Sequence, residues 1–129
     1  MFSCKEQPKT CEDFHLGVFE MNKPEDNYAA KIERIDQVQI ETNLNTGDVT
    51  KAFVTWKGAC EYELTYTEST SPEAVNLIGK VLQVRITGIQ GSSYTYEAVL
   101  RGTKIFTQGR IQLAEWALVL IFSSWSDLA

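Results

Sequence analysis

The sequence predicts an all-β domain, an antiparallel meander of about eight short strands that closes into a small barrel or folds over into a β-sandwich. Three observations carry this. Apolar and polar residues alternate with period two from Phe14 onward. Turn-forming runs such as Asn45-Thr46-Gly47-Asp48 and Gln90-Gly91-Ser92 separate the alternating segments. Helical punctuation occurs once, where Ser71-Pro72-Glu73 can cap and start a short helix over residues 72–78 that Gly79 ends. The hairpins follow one another without a long Greek-key connection, which favours the barrel.

The first predicted strand, residues 14–21, places Phe14, Leu16 and Val18 on one face and His15, Phe19 and Met21 on the other, with Gly17 as a bend. Residues 28–35 and 37–43 read as a hairpin about Arg34-Ile35-Asp36-Gln37, with Val38 and Ile40 opposed to Gln37, Gln39 and Glu41. A strand over 49–56 follows. Residues 60–67 then alternate most clearly, with Cys60, Tyr62 and Leu64 on a packed face and glutamate and threonine on a wet one. Beyond the short helix, residues 80–89 place Leu82, Val84 and Ile86 inward, and residues 93–101 align Tyr94, Tyr96, Ala98 and Leu100 on one face. Within residues 103–113, Gln108-Gly109 reads as a bulge because the apolar set switches phase between Phe106 and Ile111.

A chain of 129 residues that is 43% hydrophobic suffices for one domain with its own core. With 12 Lys and Arg against 17 Asp and Glu it carries a net charge of -5, the wrong sign for a domain that binds nucleic acid by neutralising phosphates. Residues 1–10 read as a polar tether, 11–115 as a single β-domain and 116–129 as an apolar tail, either a final strand or a segment foreign to the domain. The run from Trp116 to Phe122 is too short to span a bilayer.

The three cysteines separate by context. Cys4, preceded by a small residue and followed by a polar spacer, resembles the lipidated N-terminal cysteine of a mature bacterial lipoprotein, which would make a lipid anchor the only membrane attachment. The alternative is an exposed cysteine near a cytoplasmic N-terminus. Cys11 and Cys60 then form an even pair, suited to a disulfide in an oxidising compartment or, if reduced, to separate roles with Cys60 a small core residue. One histidine and three scattered cysteines do not make a zinc site.

No catalytic pattern stands out. His15, the sole histidine, shares a strand face with Asp13 and, if the strand extends, with Cys11, but no oxyanion hole accompanies that set. Glu33, Asp36, Glu41, Glu61 and Glu63 fit outward alternation better than a paired-carboxylate site. The aromatic residues Phe19, Phe53, Trp56, Tyr62, Tyr66, Tyr94 and Tyr96 are candidates to line an interior ligand cavity, or else are plain core.

Three segments, Cys11 to Phe19, Ile32 to Asp36 with Gln39-Ile40-Glu41, and Trp56 with Cys60 to Tyr66, together resemble a family of small Bacteroidota envelope proteins. The likeness runs from about Cys11 to about Thr107 and implies no catalytic residues. Some members of that family carry a DNA topoisomerase IV label, yet no tyrosine nucleophile, metal-binding or ATPase module is visible in this sequence. The expected fold is similar to the lipocalin-like barrels. The expected function is non-enzymatic, with no cofactor: an envelope-anchored, periplasm-facing or surface-exposed domain that binds a small apolar or amphipathic molecule. The alternative is an interaction module that docks an envelope protein through a strand edge or the C-terminal tail.

Overall fold

The computed structural model describes residues 10–115. Cys4 and the 116–129 tail lie outside the described residues. Eight strands follow in order: β1 (Gly17–Lys23), β2 (Tyr28–Ile35), β3 (Val38–Asn43), β4 (Val49–Gly58), β5 (Glu61–Ser69), β6 (Val81–Gln90), β7 (Ser93–Leu100) and β8 (Phe106–Glu115). Each pairs antiparallel with its neighbours, and β8 returns to β1, so the sheet is a closed barrel. Closure excludes the sandwich. It also overturns the strand-edge docking expected above, because every described strand is paired on both sides.

The predicted phases hold for β5, β6 and β7, where Tyr62, Leu64, Val84, Ile86, Tyr94, Tyr96, Ala98 and Leu100 are buried. They fail at four places. Phe14 does not begin a strand. It ends a 3-10 helix, Cys11–Phe14, which Gly17 at φ 136° redirects into β1, so Phe14 enters the core from the end of the barrel and is fully buried.

The second failure is β3, which faces the opposite way. Residues paired across an antiparallel ladder point to the same side, and Arg34 pairs with Gln39 while buried Ile32 pairs with Glu41. Gln39 and Glu41 therefore point inward, and Val38 and Ile40 outward. The same register turns Phe53 outward opposite Val38, where it is 56% exposed, so it does not line the interior.

The third concerns Gln108-Gly109. The β7–β8 register is unbroken from Ser93 against Gln112 to Val99 against Phe106, so there is no bulge. Phe106 lies outside, and the inward position opposite Tyr96 is occupied by Gly109. Last, the helix expected over 72–78 is only a 3-10 turn, Val75–Leu77. Tyr66 N bonds Lys80 O at 3.1 Å and Gly79 N bonds Tyr66 O at 2.8 Å, so the connection is strapped to β5 before a second turn can form.

The two barrel ends differ. At one, the Cys11–Cys60 disulfide joins the 3-10 helix to the β4–β5 turn across a sequence separation of 49. Cross-linking a loop of that length stabilises by about 4 kcal/mol on the chain-entropy account. At the other end, which is the mouth, the β3–β4 turn and the strapped β5–β6 connection stand over the interior.

Candidate functional site

The interior divides into a filled half and a hollow half. In the filled half, alternation along β2 carries Arg34 inward with Ala30 and Ile32, leaving it 1% exposed. Its Nε donates to Gln39 Oε1 at 2.8 Å and its Nη1 to the Phe14 carbonyl at 2.8 Å. Nη2 donates to the phenol oxygens of Tyr62 at 2.9 Å and Tyr94 at 2.5 Å, which themselves stand 2.9 Å apart. The guanidinium also lies 4.6 Å from the Phe19 ring centroid and 4.8 Å from that of Tyr62. Burial works against the Arg34 charge, and the Tyr62 and Tyr94 oxygens around it more than offset that penalty, so its pKa is raised. Among the described residues, every buried side-chain nitrogen and oxygen has a hydrogen-bond partner.

Beside this network, Phe14 packs edge-on to Tyr94 with centroids 5.0 Å apart. Trp56 stacks on His15 at 3.4 Å, and His15 Nε2 donates to the Ala59 carbonyl at 2.9 Å. The Cys11-His15-Asp13 arrangement is thereby overturned as a nucleophile site, since Cys11 is in a disulfide and the imidazole is held against Trp56 and Ala59.

The hollow half is a cavity of about 310 Å³ at the mouth. Tyr28, Glu41, Asn43, Thr50 and Tyr66 line it from the barrel strands, Asp48 from the β3–β4 turn, and Ser71, Glu73, Ala74 and Leu77 from the β5–β6 connection. Tyr28 donates its hydroxyl proton to Glu41 Oε2. Burial holds the Glu41 carboxyl above the usual carboxylate range, with the Tyr28 hydrogen bond and the Arg34 charge pulling it part of the way back. Burial raises Tyr28 and Tyr66, with Glu41 adding to both, and pushes Tyr96 up to about 12. All three phenols are neutral at physiological pH.

Of the seven aromatic candidates, only Tyr66 lines the mouth cavity. Phe19, Tyr62 and Tyr94 surround Arg34. Tyr96 is directed toward Met21, its hydroxyl 3.8 Å from the sulfur, and Trp56 covers the disulfide end. Reading by hydrophobic phase passed over Arg34, Gln39 and Tyr28 as site residues and set Glu41 outward, where the register turns it inward. The signal that finds them is register: once the two-residue β2–β3 turn pairs Ile35 with Val38, an inward Ile32 requires an inward Glu41.

Among the described residues no group of three or more His, Cys, Asp or Glu is placed to hold a metal ion. No family model, curated protein or solved structure matches the chain. What the geometry defines is a class: a closed eight-stranded antiparallel barrel with a buried aromatic interior and a cavity at one end.

Proposed function

We propose that this protein is a non-enzymatic binding domain of the cell envelope that holds a small amphipathic molecule in the mouth of its barrel. The observation that carries the reading is the cavity of about 310 Å³ between Tyr28, Glu41, Thr50, Tyr66 and Leu77, a volume within the range of small-molecule sites. Its lining mixes phenol rings and Leu77 with three carboxylates and hydroxyls, which suits an amphipathic molecule better than a purely apolar one. The envelope part is supported by the Cys11–Cys60 disulfide, which persists in oxidising compartments. Lipidation at Cys4 completes this reading.

The test is a titration of the isotope-labelled full chain with a mixed library of cationic, neutral and anionic small molecules, followed by backbone amide shifts. Binders should move Thr50, Tyr66 and Leu77 and leave Tyr62 and Tyr94 in place. Thr50→Phe, which fills the mouth, should remove those shifts. Responses confined to outward residues such as Phe53, or binding that survives Thr50→Phe unchanged, would overturn the cavity as the site. Anchoring is read separately: Cys4→Ala should release the chain, produced behind a lipoprotein signal, from the membrane fraction.

A further inference from the structure

We propose that the mouth cavity selects small cations, a protonated amine above all, over neutral and anionic molecules of the same shape. The proposal rests on the reading of that cavity as a ligand site, and it names the chemistry the site accepts.

The argument starts from sign. Glu41, Asp48 and Glu73 bring three carboxylates to the lining, which among the described residues includes no Lys, Arg or His. Arg34, the interior cation that an anionic head group would need, is already committed to Gln39, Phe14, Tyr62 and Tyr94. An anion entering the mouth would meet like charge without a charged partner and would lose its hydration as well.

Glu41 differs from a surface carboxylate. The β2–β3 register turns it inward opposite Ile32, and burial raises its pKa because the charged form is poorly solvated there. A cation beside it restores the missing stabilisation, and the attraction is stronger inside the barrel than in water. One oxygen of Glu41 accepts from Tyr28, which leaves the carboxylate able to accept from an ammonium as well. Tyr66 adds a phenol that lines the cavity and makes no side-chain hydrogen bond to any described residue. The rings of Tyr28 and Tyr66 also offer π faces, which attract cations and do not attract anions. The groups facing Glu41 from the neighbouring strands are thus Tyr28, Tyr66, Tyr96 and the committed Arg34.

Three probes of nearly equal size test this: 2-phenylethylammonium, 2-phenylethanol and 3-phenylpropionate, each titrated into the full chain with its disulfide intact. Amide shifts at Tyr28, Thr50 and Tyr66 give the affinities. The amine should bind about tenfold more tightly than the alcohol, as a charge-assisted hydrogen bond implies, and the carboxylate should bind least. Glu41→Gln should bring the amine down to the affinity of the alcohol. Should that variant fail to fold, Glu73→Gln, at an exposed position on the β5–β6 connection, should narrow the preference by about threefold. If the alcohol or the carboxylate binds as well as the amine, cation selection is overturned while the cavity reading stands. A preference untouched by the carboxylate variants overturns it too, and no cavity shift with any probe overturns both readings.

Discussion

The ring of Tyr96 lies over Gly109, and a Cβ added at that glycine would stand 2.9 Å from the phenol oxygen and 3.1 Å from Cε1. Gly109 is the inward residue of β8 opposite Tyr96, so the side chain absent from one strand is the space filled by the ring from the next. Gly109→Ala should therefore destabilise the barrel by about 1–3 kcal/mol, the usual range for an overpacked core. In a Tyr96→Phe background the cost should fall, because the nearest atom is gone. Urea midpoints of the four proteins decide this, and an equal cost in both backgrounds would show that the phenol oxygen is not the obstacle.

Arg34 holds four acceptors from different parts of the chain: Phe14 from the 3-10 helix, Gln39 from β3, Tyr62 from β5 and Tyr94 from β7. Arg34→Met conserves much of the volume but strands the Phe14 carbonyl and Gln39 Oε1 and leaves Tyr62 and Tyr94 only each other, and each buried acceptor left unpaired costs about 1–3 kcal/mol. A total loss of about 3 kcal/mol or more is expected. Arg34→Lys should recover little, since an ammonium cannot reproduce the planar fork. Wild-type stability in Arg34→Lys, measured by urea unfolding, would show that only the charge matters.

The raised pKa of Glu41 makes stability depend on pH with a definite sign. In the unfolded chain this carboxyl titrates near about 4.3, while the folded protein keeps the proton to higher pH. Between those two values the folded state binds more protons, so this residue's contribution to stability is lost as pH rises. Glu41→Gln removes the loss. The melting temperature of the variant relative to wild type should therefore rise as pH increases above about 4. A constant difference between the two proteins would contradict the assignment.

The disulfide ties the end of the barrel shut through one residue of the 3-10 helix. Replacing Cys11 and Cys60 together by serine should cost about 4 kcal/mol on the chain-entropy account. Amide exchange at Phe14 and His15 should quicken more than at Tyr94, which is anchored within β7. Uniform acceleration across all three would mean that the bridge supports the whole barrel rather than its end.

Register explains where sequence reading worked and where it stopped. β5, β6 and β7 carry apolar residues on one face, so phase alone places Tyr62, Val84 and Tyr94 inside. In β3 both faces are ambiguous, with Val38 and Ile40 on one and Gln39 and Glu41 on the other, and phase chose the apolar pair. The structure places the polar pair inside because Arg34 and Tyr28 are there to bond it. Gly109 misled for a related reason: a missing side chain looked like a break in phase, when it was the complement of Tyr96 on another strand.

Taken alone, the sequence determined what is local: the all-β class, most strand positions, and the turns at Asn45-Thr46-Gly47-Asp48 and Gln90-Gly91-Ser92. These follow from alternation and turn chemistry, which depend on residues close in the chain. Tertiary structure alone decided the closure of β8 on β1, the burial of Arg34, the inward turn of Glu41 and the site of the cavity. Each depends on cross-strand pairing. Whether a polar side chain can be buried is set by the partners that other strands bring to it, and no short window of sequence contains those partners.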